Sequence, residues 1–240
     1  MEENLYAIPA GDLWLRTSPE FALKRVVAAG LPRIYEIGPC FRAEEHGAWH
    51  RSEFTLLEWY RVGAGLSDLM TEVEQLIAVS AKALGKPGPE RWATLTVDEL
   101  FIDVTGGPAP ADDEVFFRAW AERIDPALTD YPALFVTEWP ASQAALSRVI
   151  GGRAQRFEAF VGGVELANAF LELIDPVEQR RRFEVANAKR SARGDSPHPV
   201  DEALIEAIGR MPPTSGIALG IDRLVAALNG WADIAAGRVE

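Results

Sequence analysis

Apolar and polar residues alternate over two neighbouring stretches, 33–37 (RIYEI) and 53–60 (EFTLLEWY), both rich in β-formers. They predict an antiparallel hairpin whose long polar connection contains Gly47. The period then lengthens. Over 67–84 the stripe Leu69, Val73, Leu76, Ile77 and Ser80 predicts a helix, with Ser67 as its N-cap and Gly85, Pro87, Gly88 and Pro89 as its stop. A breaker run at 105–112 (TGGPAPAD) precedes a short helix over 114–123 and a strand over 133–138. A second hairpin, 155–161 with 164–174, turns at Gly162-Gly163, a strong two-residue turn signal. Helices follow over 176–193, with Pro176 in the first turn and Gly194 past the end, and over 200–210. A last strand, 215–220, leads straight into a helix at Asp222. Strands adjacent in sequence, with helices between hairpins, predict an α+β fold: one antiparallel sheet covered by helices, in a single domain over 1–240. The stretch 91–132 reads as a small insertion or a long connection.

Composition narrows the class. Of 240 residues, 48% are hydrophobic and 25% charged, a globular balance that excludes a disordered or collagen-like chain. No stretch approaches the roughly 20 apolar residues of a membrane span, and no leader peptide is expected. The single cysteine, Cys40, allows no internal disulfide, which fits a reducing, cytoplasmic setting, and it reads as a buried strand residue. The net charge of −12 argues against a phosphate-backbone partner such as tRNA. A basic run within 180–193 reads as a solvated helix face, or else as a surface for an acidic partner.

Three segments set charge into otherwise apolar strands. In 41–60, Arg42 is followed two positions later by Glu44, on the same face if the chain stays extended, and Phe54 lies between Glu53 and Glu58. A guanidinium fork beside a flat ring suits phosphate and base binding, although the residues alone also describe a hairpin with surface ion pairs. In 163–175, Glu165, Asn168 and Glu172 interrupt an apolar strand, and two carboxylates near an amide suit Mg²⁺. Glu165 and Glu172 have opposite parity, so they reach one site only across a bulge or strand end. In 215–224, Gly216 and Gly220 bracket a strand that opens a helix at Asp222-Arg223. That arrangement admits close approach of an anionic ligand, or is simply a tight turn.

Taken together and in this order, the segments carry a resemblance. FRAEE…HRSEFTLLEWY resembles motif 2 of the class II aminoacyl-tRNA synthetases, and GIALGIDRL resembles their motif 3. The wording is most similar to the lysyl branch, and within it to the family that ligates (R)-β-lysine to elongation factor P. TSPEFALKRVVAAG (17–30), FVTEWPASQAALS (135–147), RFEAFVGGVELANAFLELID (156–175) and MPPTSGIALGIDRLV (211–225) read alike. The resemblance implies a class II synthetase-like antiparallel sheet flanked by helices. It also implies ATP and Mg²⁺, and transfer of (R)-β-lysine or lysine, through an adenylate, to a lysine of elongation factor P. By position, Arg42 and Arg223 are its catalytic arginines. Arg42, Glu44, Arg51, Phe54, Glu165, Leu166, Gly220 and Arg223 are its ATP contacts. Ser18, Pro19, Glu20, Glu58, Tyr60, Glu172 and Ala218 are its substrate contacts, and Glu165 with Glu172 its metal carboxylates.

The chain also departs from that family. Arg51 stands where it has an asparagine, Leu171 for a histidine and Ala169 for a glycine. Ala218 replaces the glycine of lysyl-tRNA synthetases, which leans toward a β-amino acid. Motif 1, which builds the family's homodimer, is not found ahead of the TSPE segment, so the dimer is not carried over to this chain. A lysine-activating paralog with another acceptor, and a non-catalytic binding module, are the alternative expectations.

Overall fold

The structure, a computed structural model, describes residues 5–238. After a small hairpin, β1 (Pro9–Ala10) with β2 (Leu13–Trp14), comes helix α1 (Glu20–Ala28). The first long hairpin is β3 (Arg33–Phe41) and β4 (Glu53–Val62), followed by α2 (Leu66–Ala83). Gly65 caps α2 and Asp68 Oδ2 accepts from the Gly65 N–H at 2.8 Å, so Ser67 lies inside the helix and not at its cap. The stripe read from the sequence holds: Leu69, Val73 and Ile77 are fully buried.

The middle of the chain is more structured than its composition suggests. Strand β5 (Ala93–Thr96) pairs parallel with β6 (Ala133–Pro140), so the sheet carries one parallel pair at its edge. Between them run α3 (Val97–Thr105) and α4 (Asp113–Ala119), a π-helical turn (Trp120–Ile124) and the single turn α5 (Asp125–Ala127). Thr96 and Glu99 form a reciprocal capping box at the start of α3. Phe101, Phe116, Trp120 and Trp139 pack together beneath these helices. The stretch 91–132 is thus an extension of the sheet with its own core.

Strand β7 (Val149–Ile150) pairs with β8 (Arg153–Val161), which turns into β9 (Val164–Leu171). Gly162 and Gly163 both take positive φ, as a type I′ turn requires, and Thr129 leaves no room for a side chain at Gly163. Helices α6 (Pro176–Ala192) and α7 (Glu202–Ile208) precede β10 (Thr214–Gly220) and α8 (Ile221–Asn229). The sheet order is β3-β4-β10-β9-β8-β6-β5. On one face, α2 and α8 cover Phe157, Ala167, Ala169, Ile217 and Leu219. On the other, α1, α6 and α7 pack around Leu23, Val27, Tyr60, Phe183 and Ile208.

One irregularity decides what faces outward. Along β9, Ala167 pairs with Ala159 but Glu165 pairs with Phe160, so Leu166 is an extra, bulged residue. Leu166 and Ala167 both turn into the core. Past the bulge the alternation is reset, and Glu165, Asn168, Phe170 and Glu172 all line the same cleft. The parity conflict read in the sequence is resolved by this bulge.

Candidate active site

The cleft has a volume of about 1100 Å³ and lies over the central strands β4, β10 and β9. Loop 42–52 and the N-terminus of α8 bound one end, and α1 bounds the other.

The first end is cationic. Arg42 leaves the end of β3 with its Cζ 5.0 Å from the Phe54 ring centroid, and Nε donates to Thr17 O at 3.4 Å. Arg223, in the first turn of α8, donates from Nη1 to Glu165 Oε2 and to Glu165 O, both at 3.0 Å, and from Nε to Trp49 O at 3.1 Å. Its Nη2 lies 2.7 Å from His50 Nε2, a contact that suits the neutral ring as acceptor. Burial and the Arg223 charge hold His50 below its ordinary range, in agreement. The two guanidiniums, 181 positions apart in the chain (223 − 42), therefore share one cleft. Phe54 and Gly220 line it with them.

Two motif 2 expectations change here. Glu44 adopts φ 65°, leaves the extended path and is exposed outside the cleft wall. Its neighbour Glu45 lines the cleft instead, 3.9 Å from Arg42 Nη1 and 3.7 Å from His50 Nε2. Arg51 lines the cleft but is committed to protein groups: it donates to Gly47 O, to His50 O at 2.8 Å and to Asp233 Oδ1 at 2.7 Å. It ties the loop to the C-terminal turn Ile234–Gly237, which also donates from Ile234 N to Ala48 O at 2.9 Å.

The second end is anionic. Ser18 Oγ donates to Glu58 Oε1 at 2.7 Å and accepts from Glu20 N at 2.9 Å. Tyr60 Oη reaches Glu58 Oε2 at 3.4 Å. Lys24 Nζ lies 2.6 Å from both Glu20 Oε1 and Glu172 Oε2, whereas Glu172 Oε1 receives no hydrogen bond among the described residues. Ala218 lies between Glu58 of β4 and Asn168 of β9, and the buried Asn168 Oδ1 is likewise without a donor. Pro19 is buried at the cap of α1 and is not part of the cleft wall, while Leu166 reaches the wall but packs in the core. Lys24 and Glu45 were not legible as site residues. The i, i+4 spacing of Glu20 and Lys24 was the available signal.

The two metal candidates separate. Glu172 is paired with the Lys24 ammonium, whose charge opposes a dication beside it, and no cluster of three His, Cys, Asp or Glu occurs among the described residues. Glu165, partly exposed beside Arg223, is the carboxylate that fits Mg²⁺, an ion that takes one or two carboxylates and completes its shell with phosphate oxygens.

Burial, reinforced by Glu20, pushes the Glu58 carboxyl up to about 8; burial pushes Glu172 up to about 7 against the opposing pull of Lys24. For a carboxyl raised in the folded state, the stabilising proton is fully held below the ordinary value of 4.5 and is lost as pH rises through the folded value. The ligand-free protein should therefore lose thermal stability from about pH 5 to pH 8.5, and Glu58→Gln should flatten that decline. A melting series in which the variant keeps the full wild-type slope would refute this origin. Cys40, buried in β3, is pushed up to about 11 by burial, which leaves it a poor nucleophile. The basic helix is largely occupied within the chain: Arg180 pairs with Glu202, Arg181 and Arg182 with Glu178, and Arg182 Nη1 also holds Ala145 O and Ser147 O at 2.8 Å. Among the described residues no helix is long and apolar enough to cross a membrane.

The family model of the class II tRNA synthetases (D, K and N) matches residues 2–236. The elongation factor P–(R)-beta-lysine ligase of Vibrio atlanticus (strain LGP32) is 38% identical over 247 residues, covering 91% of this chain and 75% of that relative.

Proposed function

The chain belongs to the class II tRNA synthetases, the family of the D, K and N enzymes, and from that premise we propose that it is an ATP-dependent ligase for a diamino acid. The substrate would be (R)-β-lysine in preference to lysine, and the acceptor a lysine of elongation factor P, as the name of the Vibrio relative states for that protein. The observation that carries the reading is the polarity of the cleft: Arg42 and Arg223 at one end, and Glu20, Glu58 and Glu172 at the other. A ligand pair that brings phosphates to the first end and ammonium groups to the second satisfies both.

In the first step an oxygen of the substrate carboxylate attacks the α-phosphorus of ATP. The bond to the β-phosphate oxygen breaks, pyrophosphate leaves, and an aminoacyl-adenylate remains. Arg42, fixed over Phe54, neutralises the substrate carboxylate and the charge that builds on the α-phosphate. Arg223 holds the departing phosphates at the N-terminus of α8, where backbone N–H groups favour anions. Mg²⁺, when bound at Glu165, would supply further neutralisation of the phosphates. Glu58 and Glu172 orient the diamino acid by its ammonium groups. In the second step an acceptor amine attacks the activated carbonyl and AMP leaves.

The Ala218 methyl, set between Glu58 and Asn168, supports the β-amino acid. Compared with the glycine of the lysyl-tRNA synthetases, it would narrow the cleft at that point.

ATP–pyrophosphate exchange tests the proposal, run with (R)-β-lysine, (S)-β-lysine and lysine, followed by the mass of elongation factor P after incubation. Exchange with (R)-β-lysine at least tenfold above lysine, and a mass gain of one lysyl unit, are expected. A preference for lysine with no transfer would move the protein to the lysine-activating paralogs. Absence of exchange with all three would end the ligase reading.

A further inference from the structure

The proposed mechanism gives no task to Lys24, a buried ammonium behind the cleft wall. It is 1% exposed, on the inward face of α1 between Leu23 and Val27. Its ammonium contacts two carboxylates, Glu20 and Glu172, each at 2.6 Å. Glu58 of β4 closes the same wall, with Tyr60 as the other titratable group beside it. Three acids against one base leave the ionised pocket short of two positive charges; in the ligand-free protein, protons on the raised Glu58 and Glu172 carboxyls make up part of that shortage, and a ligand's ammonium groups take their place. The shortage has a location. Glu172 Oε1 is sealed from solvent with no donor among the described residues, and it lies so close over Gly216, with the Tyr60 ring, that any side chain there would displace it. A buried carboxylate oxygen without a donor is costly, so its partner is expected to arrive with the ligand.

We propose that Lys24 is a specificity-determining positioning residue: its fixed ammonium holds Glu20 and Glu172 and cancels one of the three pocket charges, so the pocket accepts ligands that bring two ammonium groups. The inference rests on the diamino-acid reading above. It adds that the ligand charge is set by a residue that need not touch the reacting atoms. A monoamino acid leaves one buried carboxylate unmet. Lysine and β-lysine, with two ammonium groups and a carboxylate for Arg42, meet the count.

The test is a charge cycle. Lys24→Met removes the base and leaves three acids; with Glu20→Gln added, the two-charge shortage returns, and Glu172, which has lost its ammonium, folds protonated because burial already holds its carboxyl high. Lys24→Met should raise KM for (R)-β-lysine at least tenfold with kcat within threefold, because the phosphate end is untouched. The double variant should bring KM back to within threefold of wild type. A Lys24→Met KM within twofold of wild type, or a double variant no better than the single, overturns the inference while wild-type exchange leaves the ligase reading standing. If wild type exchanges with no diamino acid, that reading falls, and the charge count is read from cadaverine binding instead. Cadaverine should raise the wild-type Tm more than n-butylamine does, and lose that advantage in Lys24→Met when that variant folds and otherwise regain it in the double variant. Equal shifts from the two amines in wild type overturn the inference.

Discussion

Alanine at position 42 should lower ATP–pyrophosphate exchange by about 10²- to 10³-fold, the usual cost of removing one preorganised charge-stabilising donor. The loss should fall mainly on kcat. Among the described residues Arg42 is not anchored by a strong pair of its own: its ion-pair partner, Glu45, is 3.9 Å away and its hydrogen bond to Thr17 O is long at 3.4 Å. Its donors are thus available for an incoming phosphate, and removal costs little in the ligand-free fold. Arg42→Lys should recover only a small part of the rate. An ammonium is a point charge that cannot bridge two anions as a planar fork does, and it stacks less well on Phe54. Arg223 is the opposite case, with Glu165, Trp49 and His50 already on its guanidinium. Exchange in Arg42→Ala within threefold of wild type would remove Arg42 from the reacting end of the cleft.

What could be read from residues alone followed from periodicity, and what could not was set by local departures from it. The β3–β4 hairpin, α2 and the β8–β9 turn repeat cleanly and lie close to where the pattern puts them. Helix α1 was not evident from periodicity because Lys24 sits on its buried stripe, where an apolar residue would have completed the signal. That charge is tolerable because Glu20, one turn away, and Glu172, 148 positions away (172 − 24), both meet it, and sequence spacing announces only the first. The condition on Glu44, an extended chain from Arg42, is not met because of one backbone angle: φ at Glu44 is 65°. The Glu165–Glu172 parity shows the converse. There the conflict itself announced a bulge, and β9 has one. The parallel β5–β6 edge was obscured because a four-residue strand beside capped short helices resembles a connection.

Gly216→Ala should be the most damaging single-methyl change in the pocket, with (R)-β-lysine KM raised about 10²-fold and stability lowered by about 1–2 kcal/mol. Gly216 sits mid-sheet in β10, opposite Tyr60 on one side and Phe170 on the other. A Cβ there would lie 2.6 Å from Tyr60 Cδ1, and deeper still inside van der Waals contact with Tyr60 Cε1 and Glu172 Oε1. Neither neighbour can yield: Tyr60 is packed against α1 and α7, and Glu172 is held by Lys24. The backbone at Gly216 is not left-handed, so alanine also returns about 0.4–1 kcal/mol by restricting the unfolded chain. Overpacking at about 1–3 kcal/mol outweighs it, and for a domain of this size each kcal/mol lost lowers Tm by about 2–4 °C. The larger effect is on binding, because the methyl would push aside Glu172 Oε1, the unpartnered oxygen that a ligand ammonium is to meet. Gly220→Ala is the comparison in the same strand: its Cβ would meet only the flexible Arg223 side chain, at 3.7 Å, so it should leave the (R)-β-lysine KM nearly unchanged while weakening ATP at the other end of the cleft. Equal tolerance of alanine at 216 and 220 would mean that the diamino acid does not bind against Glu172.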